Sequence, residues 1–273
     1  MKEEIGADLD CSLTNNKKAI ILCMSCNIER YKNEENIIKK TWGKGIIEGK
    51  YENLSLYFYR GGAEQDYLDE ENHIIYLKEK DTLDYTGIKT LSCFNFIKQN
   101  MPDYDFIIRT NTSTYINIDA IRLFLNHEIE DDVMLGPHLA FNPNSRYVPY
   151  LGGHFLIIPK NFIDIFINYH ETHIITTGID DCVLGYILAD KYKSKYLNHV
   201  KEVDTILDIK KPYYHLLPSS YCIRIKDEAN YENNIVNMIG MHMLYKSLVD
   251  IINIKPPHGF RTIQTLYGNI PID

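Results

Sequence analysis

The chain has 273 residues and a formal net charge of −8, from 29 basic and 37 acidic residues. This length allows one large domain or two small ones, and either can bury a full core. Hydrophobic residues make up 45% and charged residues 24%, which is ordinary for a globular protein and excludes a disordered or collagen-like chain. The acidic balance argues against a general nucleic-acid binder, because such proteins have a basic surface. An enzyme or a binding domain remains.

The start of the chain and its cysteines predict the compartment. Residues 1–16 read as an acidic tail with no apolar stretch, so no signal peptide is indicated. The apolar run at 19–24 is far shorter than the roughly 20 residues of a membrane-spanning helix. The six cysteines are scattered through a chain too large to depend on disulfides, which favours reduced thiols. We therefore expect a soluble, cytoplasmic or cytosol-like protein without a membrane span.

Strand-like and helix-like segments alternate along the chain. Strands are predicted at residues 19–24, 54–59, 73–77, 105–109, 133–135 and 155–158. Helices are predicted from a cap at Asn33 to a stop at Gly43 and at about 88–94, 119–125, 162–167, 183–188 and 234–249. This alternation predicts an α/β fold with one mostly parallel sheet flanked by helices. Functional loops should gather at the carboxyl ends of its strands.

Three polar segments are candidates for ligand contact. The loop at 25–30 ends in Arg30, which can pair with a phosphate or be a solvated arginine on a connecting loop. Residues 109–114 are all polar after a buried strand, and they form either a turn or a ligand-binding edge. Residues 221–226 read as a basic strand whose charges lie solvated at the surface or, if the ligand is a diphosphate, close over it. The glycine-rich dinucleotide and P-loop motifs are absent from the sequence.

Asp180 and Asp181 stand at the start of a predicted helix. Carboxylates at this position cap free N–H groups and complement the helix dipole. One of the two can instead act as a general base if it faces a cleft. Upstream, Gly152 and Gly153 permit either close approach of the backbone to a ligand or a tight turn into a strand. The residues alone leave these alternatives open.

Four segments between residues 17 and 189 stand in a characteristic order. They are Arg30 with Ile37-Ile38-Lys39-Lys40-Thr41-Trp42, Ile88-Lys89-Thr90, Tyr150-Leu151-Gly152-Gly153-His154-Phe155, and Asp180-Asp181-Cys182-Val183-Leu184-Gly185-Tyr186-Ile187. Together they resemble the β-1,3-glycosyltransferase superfamily, which includes the Fringe proteins and the β-1,3-galactosyl- and N-acetylglucosaminyltransferases. The last segment is closest to the Fringe form, whereas His154 departs from the family pattern.

The resemblance implies a GT-A fold with a single Rossmann-like sheet, in a domain at 17–250 followed by an extension at 251–273. It implies an inverting enzyme that moves a sugar from a nucleotide-sugar, expected to be a UDP-sugar, to a hydroxyl of a glycan or glycoprotein. The family's catalytic base corresponds to Asp181, supported by Asp180. The expected acceptor contacts are Tyr150, Gly152, Gly153 and His154. The expected donor contacts are Ser25, Arg30, Lys89, Arg109, Asn111 and Ser113.

The sequence departs from the family where the metal would bind. The family's Asp triplet holds a manganese ion on the donor phosphates, and the same register here gives Asn111-Thr112-Ser113. Neutral oxygens hold divalent cations more weakly than carboxylates do. Asn111, Ser113 and His215 are the remaining candidate ligands, with a structural histidine as the alternative for His215. We expect either an enzyme with reduced or absent metal dependence or an inactive glycan- or nucleotide-binding module.

Overall fold

The fold is that of a computed structural model, which describes residues 17–126, 131–137, 139–141, 149–173, 175, 178–202, 205–206, 221–227, 230–253, 262–265 and 268–271. The helices are α1 (Glu29–Lys40), α2 (Lys44–Ile47), α3 (Thr86–Asn100), α4 (Ile118–Asn126), α5 (Lys160–Thr172), α6 (Asp180–Tyr192) and α7 (Asn233–Asn253). The strands are β1 (Ala19–Met24), β2 (Leu54–Arg60), β3 (Tyr67–Asp69), β4 (Ile74–Tyr76), β5 (Phe106–Asn111), β6 (Thr114–Ile116), β7 (Met134–Gly136), β8 (Leu139–Phe141), β9 (Pro149–Leu151), β10 (Phe155–Pro159), β11 (Val200–Glu202), β12 (Thr205–Ile206), β13 (Cys222–Arg224), β14 (Thr262–Thr265) and β15 (Gly268–Pro271).

Eight strands form a central sheet in the order β11-β7-β10-β5-β1-β2-β4-β3. The pairs β1–β2, β1–β5, β2–β4 and β7–β11 are parallel, whereas β10 runs antiparallel to β5 and β7, and β3 antiparallel to β4. The predicted α/β architecture, a mostly parallel sheet flanked by helices, is confirmed. Smaller sheets are added to it, and one of them joins β6, β12 and β13 beside the carboxyl end of β5.

Both faces of the central sheet are covered because its inner strands are apolar on both sides. In β1, Ile21 packs into a core with residues of α1, α2, α4 and α7, and its neighbours Ile20 and Leu22 pack into a second core with α3, α5 and α6. The side chains of Ile21 and Leu22 are fully buried. This double burial fixes the register of the strands, and therefore the positions of the loops that follow them.

The predicted start of the first helix is wrong. Helix α1 begins at Glu29, with Ile28 at its N-cap position, so Asn33 lies inside the helix and does not cap it. The first turn was missed because it contains no buried apolar residue and Ile28 supplies no side-chain cap. Helix α7 continues to Asn253, beyond the predicted end at about residue 249.

Within the described segments, no helix combines the length and the apolar composition that crossing a membrane requires.

Candidate functional site

A cavity of about 460 Å³ opens at the carboxyl ends of β1 and β5. The two strands are parallel and in register, so Met24 at the end of one lies opposite Asn111 at the end of the other. The cavity wall includes five of the six predicted donor contacts, which are Ser25, Arg30, Lys89, Asn111 and Ser113. Loops after neighbouring parallel strands thus meet at one edge, where α/β folds commonly bind ligands.

The cavity wall is positively charged, although the whole chain is acidic. Among the residues that the structure describes, the charged ones at this wall are the cations Arg30, Lys89, Arg224 and Lys226 and the anions Glu34 and Asp81. Four described cations therefore accompany two described anions, in a protein whose formal net charge is −8. A concave surface with a local excess of positive charge attracts an anionic ligand.

Two buried ion pairs hold the loop at Ser25. Lys89 donates to the Ser25 carbonyl oxygen at 2.9 Å and to Asp81 Oδ1 at 2.6 Å. Ser25 Oγ donates to Glu35, which is also paired with Arg60 through an Nε–Oε1 hydrogen bond of 2.9 Å. Burial tends to raise the pKa of Asp81, but the Lys89 ammonium and its hydrogen bond outweigh burial and leave this pKa lowered. The Lys89 charge is thus matched by Asp81 and fixes the loop.

Arg30 lies between two aromatic rings at the cavity wall. Its guanidinium carbon is 4.3 Å from the centroid of the Tyr31 ring and 4.0 Å from that of Tyr231. Cation–π contacts of this kind hold an arginine in place while leaving its N–H groups for other acceptors. Among the residues that the structure describes, the buried Nε of Arg30 has no hydrogen-bond partner.

The amide of Asn111 holds a cation. Its Oδ1 accepts hydrogen bonds from Arg224 Nη1 at 2.8 Å, Thr114 Oγ1 at 3.0 Å and Ser113 Oγ at 3.1 Å. The antiparallel pairing of β13 with β6 sets Arg224 opposite Thr114, which brings the guanidinium to the end of β5. Asn111 therefore positions a positive side chain at the cavity wall.

These residues do not fit a divalent metal. Asn111, Thr112 and Ser113 supply only neutral oxygens, and the Asn111 oxygen is already bonded to a guanidinium. Across the described segments there is no group of three His, Cys, Asp or Glu residues that could hold a metal ion. His215 lies outside the residues that the structure describes. The two candidate ligands Asn111 and Ser113 are joined by a hydrogen bond from Ser113 Oγ to Asn111 Oδ1.

A second buried glutamate supports the loop after β5. Glu34 on α1 accepts hydrogen bonds from Thr112 Oγ1 and, at 2.9 Å, from Asn234 Nδ2 on α7. Glu34, Glu35 and Asp81 were not predicted as parts of the site. The available signal was weak, since an acidic pair in the first turns of a helix is ordinarily solvated. Arg224 and Lys226 were recognised only as members of a basic strand.

Arg109 and Asp180 form a buried ion pair beside the cavity, and the side chains are 1% and 5% exposed. Arg109 Nε also donates to the Tyr59 hydroxyl at 3.3 Å, and Nη2 lies 3.2 Å from the sulfur of Met24, which lines the cavity. Burial raises the pKa of the Asp180 carboxyl, and the Arg109 guanidinium opposes that rise. Arg109 is not among the residues that line the cavity, and it connects the cavity wall to α6.

Asp181, at the start of α6, contacts the predicted acceptor segment. Its Oδ2 accepts from the Gly153 N–H at 2.9 Å, and its Oδ1 accepts from the Cys182 N–H at 2.8 Å. A Cβ on Gly153 would lie 2.9 Å from Asp181 Oδ2 and 3.1 Å from Arg109 Nη1, so only glycine fits without displacement. Burial, with Cys182 and Asp181 nearby, raises the pKa of Tyr150 to about 12. Tyr150, Gly153 and Asp181 are therefore neighbours.

The two sides of the site are joined by hydrogen bonds through His154. Its carbonyl oxygen accepts from Thr110 Oγ1 at 2.9 Å and from Thr114 Oγ1 at 3.2 Å. Thr114 also contacts Asn111, while Gly153, the residue before His154, contacts Asp181. The predicted acceptor residues Gly152 and His154 are both buried at this junction. The His154 carbonyl thus connects the end of β5, which borders the cavity, with the segment that contacts Asp181, although Asp181 itself does not line the cavity.

Two similar solved structures are glycosyltransferases. One is described as a glycosyltransferase involved in the glycosylation of the major capsid of PBCV-1, with a TM-score of 0.48 and 10% identity over 82% of this chain and 99% of that one. The other is the catalytic domain of Drosophila β1,4-galactosyltransferase 7 in complex with xylobiose, with a TM-score of 0.38 and 11% identity over 68% of this chain and 64% of that one. Both likenesses are too distant to assign an activity to this chain.

No protein-family model matches the sequence, and no curated protein matches it either.

Proposed function

We propose that the protein is an inverting glycosyltransferase that moves a sugar from a nucleotide-sugar, a UDP-sugar by its family resemblance, to a hydroxyl of a glycan or glycoprotein. The observation that carries the proposal is the cationic cavity at the ends of β1 and β5, which Arg109 connects to Asp180 and so to the start of α6, where Asp181 follows. A nucleotide diphosphate needs local positive charge, and displacement of that diphosphate by a hydroxyl needs a base.

The chemistry divides between the two sides of the site. Asp181 takes the proton of the acceptor hydroxyl as its oxygen forms a bond to the anomeric carbon of the donor sugar. The bond from that carbon to the phosphate oxygen breaks, and the nucleoside diphosphate leaves with the electron pair. Each carboxylate oxygen of Asp181 accepts one backbone N–H bond and keeps a second lone pair for the acceptor hydroxyl.

Asp180 and Arg109 act in this proposal by positioning the base. Asp180 is buried and paired with Arg109, which anchors the first turn of α6 against β5. The Gly153 N–H then fixes the orientation of the Asp181 carboxylate. The contact with the sugar donor expected for Arg109 stays a prediction, because Arg109 does not line the cavity. Its Nη1 is buried and has no hydrogen-bond partner within the described residues.

The test measures turnover of a panel of nucleotide-sugars with and without EDTA. The readout is the nucleoside diphosphate that is released. We expect turnover in EDTA by the wild-type protein and a loss of about 100-fold or more in Asp181→Asn, a typical contribution of a positioned general base. Asp190→Asn is the matched control, because Asp190 lies on the same helix and pairs with Lys193 at its far end.

A second candidate is an inactive module that binds glycans or nucleotides, and the absence of carboxylates at residues 111–113 favours it. Binding of a nucleotide-sugar or glycan with no turnover of any donor, in EDTA or with manganese, would establish this second candidate. Equal turnover by Asp181→Asn and the wild-type protein would remove Asp181 from the chemistry.

A further inference from the structure

Arg224 occupies a distinctive position in the cavity wall. It is half-buried, it lines the cavity, and its Nη1 donates to Asn111 Oδ1 at 2.8 Å. Asn111 is the last residue of β5 and lies opposite Met24, the last residue of β1. The Arg224 guanidinium is therefore held at the carboxyl ends of these two parallel strands.

We propose that Arg224 is the group that binds the diphosphate of the nucleotide, and that its fixed charge does the work for which a divalent cation would otherwise be needed. The inference rests on the proposed function and names the residue that makes it independent of metal. A guanidinium is planar, remains charged at any accessible pH and offers several N–H donors, so one edge can hold Asn111 while another meets phosphate oxygens.

The surroundings of Arg224 support this assignment. Lys226, two residues farther along, lines the same cavity, and the opposite wall carries Arg30. The Lys89 charge is matched by Asp81 at 2.6 Å, so Lys89 contributes less net charge to a ligand. Arg224, Lys226 and Arg30 place three further cationic side chains at the wall of the same cavity.

The backbone around Arg224 gives it a defined place. The Ile225 N–H donates to the Ser113 carbonyl at 3.1 Å, which ties the end of β13 to the loop after β5. Ser113 and Thr114 also donate to the Asn111 oxygen, so the acceptor of Arg224 is held by two hydroxyls. A preorganised cation stabilises the charge of a departing diphosphate without reorganising during the reaction.

The test is titration calorimetry in EDTA with UDP, uridine and inorganic pyrophosphate as probes. Arg224→Gln removes the charge and keeps an N–H donor for Asn111, and Arg224→Lys restores the charge. We expect Arg224→Gln to weaken UDP and pyrophosphate by about 10- to 100-fold and to leave uridine unchanged, with partial recovery in Arg224→Lys. Arg122→Ala, which removes an exposed arginine on α4, is the control and should bind all three probes as the wild-type protein does.

Three outcomes overturn the inference: unchanged UDP affinity in Arg224→Gln, no binding of UDP or pyrophosphate by the wild-type protein, or wild-type UDP binding that appears only with added manganese. Its failure is distinguishable from that of the proposed function. Arg224-dependent binding of pyrophosphate with no sugar transfer would keep the anion site and end the transferase proposal. Normal sugar transfer by Arg224→Gln would keep the transferase proposal and end the assignment of Arg224 as the diphosphate-binding group.

Discussion

The two sides of the site use charge in opposite ways. On the α6 side, Arg109 and Asp180 are matched one to one and almost completely buried. On the cavity side, Arg224 and Lys226 are at least partly exposed, and cations outnumber anions among the lining residues that the structure describes. A buried matched pair has little charge left for a ligand and fixes geometry, whereas a partly exposed excess of one sign is available to bind. The difference separates the residues that position from those that bind.

The largest effect is expected when one partner of the buried pair is removed. Asp180→Ala should lower the free energy of unfolding by about 3–5 kcal/mol, because it leaves the Arg109 guanidinium buried without its partner. Urea unfolding measures this, and Arg224→Ala, on the exposed side, should change stability by less than about 1 kcal/mol. Similar losses in the two variants would contradict the division into positioning and binding charges.

The Lys89–Asp81 pair should show its effect through pH. The pKa of Asp81 is lowered in the folded protein, so its contribution to stability is present above its ordinary pKa and is lost as pH falls through the lowered value. Asp81→Asn should cost about 1.5–3 kcal/mol at pH 7, the usual contribution of a hydrogen bond to a charged group.

The measurement for Asp81 is the difference in unfolding free energy between wild type and Asp81→Asn from pH 7 down to about pH 3. This difference should shrink on acidification, because protonation of Asp81 removes the charge that pairs with Lys89. The other carboxylates titrate in both proteins, so their effects cancel in the difference. A difference that is constant with pH would show that the Lys89–Asp81 pair is not what the substitution removes.

Gly153 lies where the two sides of the site meet, next to Asp181, and Gly153→Ala tests how tightly they are packed. The added methyl would lie 2.9 Å from Asp181 Oδ2, so either the loop or the carboxylate must move. We expect a loss of about 1–3 kcal/mol in stability, and a fall in turnover because the base is displaced. Gly240→Ala on α7 is the control. A Cβ there meets nothing within 4 Å, and alanine should stabilise the helix by about 0.5–1 kcal/mol.

The central sheet could be predicted because its buried strands are continuous apolar runs such as residues 19–24. Such a run can be recognised from the local sequence, without knowing which strands it pairs with. The supports of the site could not. The burial of Glu34 depends on Asn234, 200 positions away in the sequence, and Arg224 meets Asn111 across 113 positions. No local pattern carries a pairing of that separation. Ser25, Asn111 and Ser113 could be expected at one edge because they follow or end strands whose carboxyl ends meet there.

The smallest effect is expected for an ion pair that has good geometry and no burial. Lys98 Nζ and Asp164 Oδ1 are 2.7 Å apart, close to the 2.6 Å between Lys89 and Asp81, but their side chains are 43% and 48% exposed. Solvent screens such a pair, and ordering two long side chains offsets most of the attraction, so Lys98→Ala should change the unfolding free energy by about 0–1 kcal/mol. Urea unfolding at low and high salt measures it, and the small effect should vanish in high salt. A loss as large as that of Asp81→Asn would mean that distance rather than burial decides the strength of these pairs, and the contrast between the two sides of the site would lose its physical basis.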